Sequence, residues 1–468
     1  MDHGEALGKL RDLLGPKGFI DAPEAVAPYA QDWRGIETGA PAAVLRPKGT
    51  DAVAACVRLC AAAGIPIVPQ GGNTGLVGGT IARDGAVTLN LGRMDRIRDL
   101  DPLDYTVTAE AGCTLLSLRE AAEAADRLFA LSLGSEGSCT IGGNLATNAG
   151  GILTVRYGNA RDLVLGLEVV LPDGRVWNGL RRLRKDNTGY DLKQLFIAGE
   201  GTLGIITAAT LKLFPRPRQR ETALVAVPGP RAAVELLGRL RDGTGDALTA
   251  CELMPRFAVD GARTYLGRDF DPFPAPSPWY LLLELTGGAG SSLREQTEET
   301  LAAAIEAGAA TDALFAESEE RRRRLWGLRE GLPEIGRAVG GTIHHDVSVP
   351  VSRIPDLIER ATEAAQSVVP GCRPYPFGHV ADGNIHFNVA RPEGMERDAY
   401  LAHAGAMGRA VHDVVHALDG SISAEHGIGG RKRAEMARFK DPVELDLMRR
   451  VKLALDPEGL MNPGKLLP

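Results

Sequence analysis

Apolar runs and their spacing divide the chain into short strands and helices in mixed order. Ala43–Pro47 predicts a strand, Asp51–Ala63 a helix with Thr50 as N-cap and Gly64 as its stop, and Ile65–Pro69 a second strand. A glycine-rich turn follows, so the start reads as a βαβ unit. Ala86–Leu91 and Tyr105–Ala111 predict strands, Thr114–Ala125 a helix, and Leu167–Trp177 a hairpin through Pro172-Asp173-Gly174. Ile205–Leu213 reads as a strand closed by Pro215-Arg216-Pro217, which marks a domain boundary. Beyond it, Thr222–Val227, a helix from Arg231 and Ala250–Met254 suggest a fresh βαβ unit. Trp279–Leu285, helices around Leu293–Ala307 and Glu317–Leu328, and a strand Thr342–Val349 continue as a sheet with covering helices. Asp271–Pro278 is proline-rich and expected to be exposed, and Asp456–Pro468 is loop-like.

Length and composition narrow the class. A chain of 468 residues exceeds one core, so two or three domains are expected. A net charge of −7 argues against nucleic acid as the main partner. The six cysteines form no CxxC, which suggests reduced thiols in a cytoplasmic setting. Met1–Leu14 reads as a short amphipathic helix, not a signal peptide, and no apolar run is long enough to span a membrane.

The densest polar pattern is Phe377–Val389. With Asp382-Gly383 as a two-residue turn, Val380 faces Ile385 and His379 faces His386. Opposed imidazoles of that kind converge on one metal ion. Alternation puts Asn384, His386 and Asn388 on one face. Ser423-Ala424-Glu425-His426-Gly427 offers a carboxylate ligand and a base. Two histidines and a carboxylate compose a metal site with positions left open for water or substrate. Two surface histidines on a hairpin is the plainer reading of His379 and His386 alone. Glu425-His426 in a glycine-flanked loop tips the balance to a metal site.

Three glycine-rich segments stand in the first half: Pro69–Gly79, Gly134–Gly151 and Gly199–Gly204. Glycines leave backbone N–H groups open to phosphate, and three such segments exceed what turns require. They fit a long ligand with a pyrophosphate. The third is a GxGxxG, with Glu221 about 20 residues on as a nicotinamide fingerprint wants. Here it precedes a β-branched strand and not a helix, so that reading is rejected. Arg321–Arg324, after Glu317, Glu319 and Glu320, read as a solvated helix face. Arg329, a turn or two beyond, is a surface residue or a bidentate partner for a substrate carboxylate. His403, His412 and His416 sit on a polar helix with no function indicated.

At these motifs the sequence resembles the FAD-linked oxidases and dehydrogenases of the vanillyl-alcohol oxidase/p-cresol methylhydroxylase fold, in the D-lactate and D-2-hydroxyglutarate dehydrogenase branch. The resemblance covers nearly the whole chain. It rests on Pro69–Gly79, Gly134–Gly151, Glu200–Thr207, Gly378–Asn388, Ser423–Gly427 and Asn462–Lys465. It implies an α+β fold: an FAD domain over residues 1–218, an inserted substrate domain over 219–420, and a C-terminal segment over 421–468 returning to the FAD domain. It implies that FAD is held by Pro69, Gln70, Gly71, Gly72, Asn73, Thr74, Gly75 and Leu76 in the first segment. In the second segment the implied contacts are Gly134, Ser135, Gly137, Ser138, Thr140, Ile141, Gly142, Gly143, Asn148 and Gly150. Glu200, Gly204, Ile205, Ile206 and Asn462 complete the set. Asn73 stands where some relatives attach flavin through a histidine, so FAD is expected to be non-covalent.

The same resemblance makes His379, His386 and Glu425 ligands of one divalent metal, zinc or manganese. It makes His426 the base, and Arg329 and Asn388 substrate contacts. The implied reaction is oxidation of a D-2-hydroxy acid to the 2-oxo acid by hydride transfer to flavin, with electrons passed to a quinone or carrier protein. Relatives that select 2-hydroxyglutarate tend to carry Thr and Lys where this chain has Pro333 and His344. That departure favours a short monocarboxylate such as D-lactate over D-2-hydroxyglutarate. A cytoplasmic enzyme is expected, with association at the inner face of the membrane and a homodimer both compatible. The rivals are a 2-His-1-carboxylate iron oxygenase, which leaves the glycine loops idle, and a flavin subunit of a glycolate-oxidase-like complex.

Overall fold

The computed structural model describes every residue of the chain except Asp84 and Asp269. The chain forms two compact units: Met1–Gly151, Gly158–Arg216 and Glu425–Pro468 make the first, and Ile152–Tyr157 with Pro217–Ala424 make the second.

The first unit is built on two larger sheets, beside a two-stranded pairing of Arg127–Leu128 with Phe214–Pro215. Strands β1 (Phe19–Ile20), β2 (Ala43–Leu45), β3 (Ile67–Gln70) and β4 (Val87–Asn90) lie in the order β1-β2-β4-β3. β2, β4 and β3 run parallel and are almost wholly buried, as their apolar runs demand. The covering helix Thr50–Ala63 buries Val53, Ala54, Cys56, Val57 and Cys60, and Gly64 ends it at φ 66°. Burial pushes the thiols of Cys56 and Cys60 up to about 12, which keeps them inert. Thr50 does not cap this helix: Gly49 is the cap residue, and the Thr50 hydroxyl instead donates to Glu168 at 2.6 Å. The second sheet holds β5 (Ile97–Asp101), β6 (Thr106–Glu110), β7 (Val164–Val170), β8 (Val176–Gly179) and β9 (Ile205–Lys212), antiparallel in the order β5-β6-β9-β7-β8. β9 follows Gly204 directly, so the GxGxxG opens a strand as expected.

The C-terminal return segment is stitched into this unit. Met461 bridges Ile67, and Lys452 donates to the carbonyls of Thr202 at 2.7 Å and Met461 at 2.9 Å.

The second unit is built on a sheet of β10 (Gln219–Val227), β11 (Leu248–Pro255), β12 (Trp279–Gly287), β13 (Asp312–Phe315), β14 (Asp346–Ser348), β15 (Phe377–His379) and β16 (Asn384–His386). Their order is β13-β10-β12-β11-β15-β16-β14. The helix Pro230–Gly243 joins β10 to β11, but the two are not neighbours. β12 lies between them, antiparallel to both, so the expected βαβ unit is split. Ile152–Tyr157 joins this unit through Arg156, whose guanidinium donates to Thr286 at 2.8 Å.

Three further expectations are corrected. Thr342–Val349 is not one strand: Thr342–Ile343 pairs in a separate three-stranded sheet, and His344-His345 span the break before β14. Asp271–Pro278 is not exposed throughout, because Phe273 and Ser277 are buried and Phe273 stacks on Tyr280 at 5.9 Å. The helix Ala404–His416 is amphipathic, not polar, and His412 is buried edge-on to His345.

Candidate active site

The first unit contains an open-mouthed cavity to which all three glycine segments contribute. The glycine segments supply Pro69, Gln70, Gly71 and Gly75, then Thr140, Gly142 and Gly143, then Glu200 and Gly204, and the start of β9 adds Ile205 and Ile206. The return segment adds His426 and Asn462. Thr140 Oγ1 and Asn462 Oδ1 are buried with no hydrogen-bond partner among the described residues. Asn462 is anchored by its amide, which donates to Glu200 O at 2.7 Å and Gly79 O at 3.1 Å, leaving Oδ1 to accept from a ligand.

Gly72, Asn73, Thr74, Leu76, Gly134, Ser135, Gly137, Ser138, Ile141, Asn148 and Gly150 do not line the cavity. Several shape it from behind. A Cβ on Gly72 would stand 1.9 Å from Ser138 O, so the first two glycine segments touch backbone to backbone there. The Asn73 amide donates to Gln31 O at 2.8 Å and its Oδ1 accepts from Thr80 at 2.7 Å. Val77, Gly79, Thr80, Leu91, Ala146, Thr147, Phe196 and Gly201 line the cavity and were not anticipated. Val77, Gly79, Ala146, Thr147 and Gly201 lie within the glycine-rich segments though not among the contacts expected there, and Thr80 directly follows the first segment. Leu91 and Phe196 read as ordinary core residues.

Glu200 fastens the loop that carries His426. Its Oε1 accepts from Ile428 N at 2.8 Å and its Oε2 from Gly429 N at 2.7 Å. Burial raises the Glu200 pKa, against the downward pull of those N–H donors and of Lys432 and Lys465. Arg431, two residues further on, donates to Glu37 at 2.8 Å, Asp32 at 2.6 Å and Leu76 O at 3.0 Å.

The second unit holds the histidine hairpin in a register two residues from the expected one. Phe377 pairs with His386, Gly378 with Ile385 and His379 with Asn384. Residues 380–383 form the connection. The Asp382 carboxylate accepts from Asn384 N at 3.1 Å, and Gly383 O accepts from Val349 N at 3.1 Å. Gly383 also lies so close to Val349 O that a Cβ there would be 2.1 Å away. Pairing to Val349 thus draws Asp382-Gly383 out of a tight turn. A two-residue shift keeps every side chain on its face. The imidazoles of His379 and His386 are now diagonal neighbours, with ring centroids 5.6 Å apart.

Asn388 lies past the end of β16, and its Oδ1 is 3.0 Å from His344 Nδ1. His344 is itself exposed, as is Pro333 in the first turn of the helix Leu332–Val339. Arg329 is buried, not a surface residue. Its Nε donates to Glu252 at 2.6 Å, and its guanidinium lies 4.7 Å from the Phe377 ring centroid. No described residue accepts from its two terminal amino groups.

Glu252, absent from the sequence reading, faces His379 across the β11–β15 pair, with Oε1 2.6 Å from His379 Nδ1. Burial alone would raise its pKa, but His379 and Arg329 bring it down to about 2. Its signal was a lone charged residue inside the apolar run Ala250–Met254. Glu425, half-buried, opens the last segment of the first unit.

Residues 216–466 match the model of the FAD linked oxidases' C-terminal domain, and residues 41–179 that of an FAD binding domain. The chain belongs to the FAD-linked oxidase family. It is 37% identical over 458 residues to the mitochondrial D-2-hydroxyglutarate dehydrogenase of Bos taurus, covering 97% of this chain and 82% of that one. With the D-2-hydroxyglutarate dehydrogenase of Stutzerimonas stutzeri (strain A1501) the identity is 33%, covering 98% of each chain. Among solved structures, substrate-bound p-cresol methylhydroxylase superposes with a TM-score of 0.78 at 19% identity, covering 99% of this chain and 96% of that one. Alkyldihydroxyacetonephosphate synthase gives a TM-score of 0.75 at 17% identity, covering 99% and 85%. These two share the fold.

FAD is the cofactor of this family, and the residues present fit it. The cavity is walled by glycine backbone and apolar side chains, and Thr140 and Asn462, which line it, each keep a buried oxygen with no partner among the described residues. Gly72→Ala is expected to cost on the order of 1–3 kcal/mol, as overpacking against rigid backbone does, and to lower flavin content. Gly238→Ala, exposed on the helix Pro230–Gly243 with open space around it and outside the cavity, should lower neither stability nor flavin content. Thermal melts and flavin absorbance per mole of protein check the pair.

Proposed function

We propose that this protein oxidises a D-2-hydroxy acid to the 2-oxo acid, with non-covalent FAD as its immediate acceptor and a quinone or carrier protein as the final one. The observation that carries this reading is His426 in the wall of the glycine-lined cavity, a proton acceptor bordering the cofactor space. Arg329, held at Nε by Glu252, offers its two terminal amino groups as a fork that matches the substrate carboxylate. Asn388 offers its amide beside His344. His426 takes the hydroxyl proton as general base. Bound FAD would supply the two-electron acceptor for the Cα hydride.

We further propose that His379, His386 and Glu425 hold one divalent cation, zinc or manganese. They are residue types that hold such ions, and Glu425 directly follows Ala424, whose N–H donates to Asp346 O at 3.3 Å in the second unit. A cation there supplies Lewis-acid polarisation of the substrate hydroxyl.

D-2-hydroxyglutarate is the substrate favoured by the relatives' names. A short monocarboxylate such as D-lactate is favoured by Pro333 and His344. His344 carries no permanent charge for a second carboxylate, and its Nδ1 is engaged with Asn388.

Flavin content, three variants and a substrate series test the reading. Purified protein should be yellow and reduce a dye with D-2-hydroxy acids; His379→Ala should lose most of that activity while keeping its flavin. Full activity of His379→Ala after chelation would remove the metal. His426→Ala should lower kcat by about 10²–10⁴ with flavin content unchanged, and an unaltered pH–rate profile would point to another base. In a substrate series, a higher kcat/KM for D-lactate than for D-2-hydroxyglutarate supports the monocarboxylate, and the reverse order the dicarboxylate. His344→Lys should raise kcat/KM for the dicarboxylate alone, by roughly 10- to 150-fold for one charge-assisted contact.

A further inference from the structure

We infer that Glu252 is a positioning residue that sets both the metal-facing nitrogen of His379 and the direction of the Arg329 fork. This rests on the proposed metal and substrate sites and adds to them a residue touching neither. Glu252 is 1% exposed in the middle of β11, and its two oxygens are divided between two partners. Oε1 lies 2.6 Å from His379 Nδ1, and Oε2 lies 2.6 Å from Arg329 Nε.

An ionised carboxylate only accepts, so the hydrogen of the first contact is on His379 Nδ1. The His379 lone pair then resides on Nε2, the nitrogen suited to a cation. The second contact fixes the guanidinium at Nε, while Phe377 packs against its face at 4.7 Å. The plane and heading of the two terminal amino groups are thereby set. One buried charge orients both groups, so metal affinity and carboxylate affinity should fall together when it is removed. A role confined to neutralising Arg329 would lower stability without moving His379.

The test uses the FAD-loaded full chain stripped of metal by chelator and titrated with Mn²⁺, followed by electron paramagnetic resonance. Glu252→Gln should keep its flavin, weaken Mn²⁺ binding by about 10- to 100-fold, and raise KM for the preferred D-2-hydroxy acid by about ten-fold or more. Wild-type Mn²⁺ affinity and KM in Glu252→Gln would overturn this inference and leave the metal site standing. A wild type that binds neither Mn²⁺ nor Zn²⁺ would overturn the metal site and this inference with it. Should Glu252→Gln fail to fold, ¹⁵N NMR of His379 in the metal-free wild type decides. A proton on Nδ1 supports the inference, and a proton on Nε2 overturns it.

Discussion

A carboxylate sealed from water must satisfy its lone pairs inside the protein, and Glu252 does so with an imidazole and a guanidinium. Removing one partner of a buried ion pair typically costs about 3–5 kcal/mol, so this contact constrains what the surrounding strands carry. β11 needs the charge at that position, β15 needs the histidine opposite, and the helix Glu319–Glu330 must bring Arg329 within reach. Phe377 and His386 then pack at a tilt across the hairpin, with ring centroids 5.2 Å apart. The polar cluster is a consequence of a sheet paired in one register.

The first unit obeys a different constraint, the close approach of backbone to backbone. Gly72 against the Ser138 carbonyl leaves no room for a Cβ, and Gly71 is crowded in the same way by the Thr140 hydroxyl. Buried charge contributes as a fastener there too. Glu200 grips two consecutive N–H groups of the return segment, and Arg431 clamps that segment to Asp32 and Glu37. The loop bearing His426 is therefore fastened at two points within five residues of it.

The mixed α and β architecture and most element positions were legible, because helices such as Thr50–Ala63 and strands such as Ile205–Lys212 carry their period in the sequence. The glycine segments were legible as a ligand site because their number exceeded what turns need. Partnership between elements was not legible. Nothing in Ala250–Met254 says that β12 will pair beside it, and nothing in Thr342–Val349 says that its halves join different sheets. The hairpin register depended on Val349, over thirty residues upstream of Gly383, which no local turn rule weighs. The histidines still met because a two-residue slip preserves parity; a one-residue slip would have sent them to opposite faces. Glu252 escaped notice because its partners come from β15 and a distant helix.

The cavity of the first unit also has a history in time. Asn462 and Gly79 hydrogen-bond across 383 residues of chain, and His426 enters the same wall from the return segment. During synthesis the glycine segments emerge first, and the whole second unit must follow before these last wall residues exist. Closing so long a loop is slow and comes late in folding. The cofactor pocket is thus completed only after the whole second unit has been made, when the return segment adds its side to a wall that the glycine segments began.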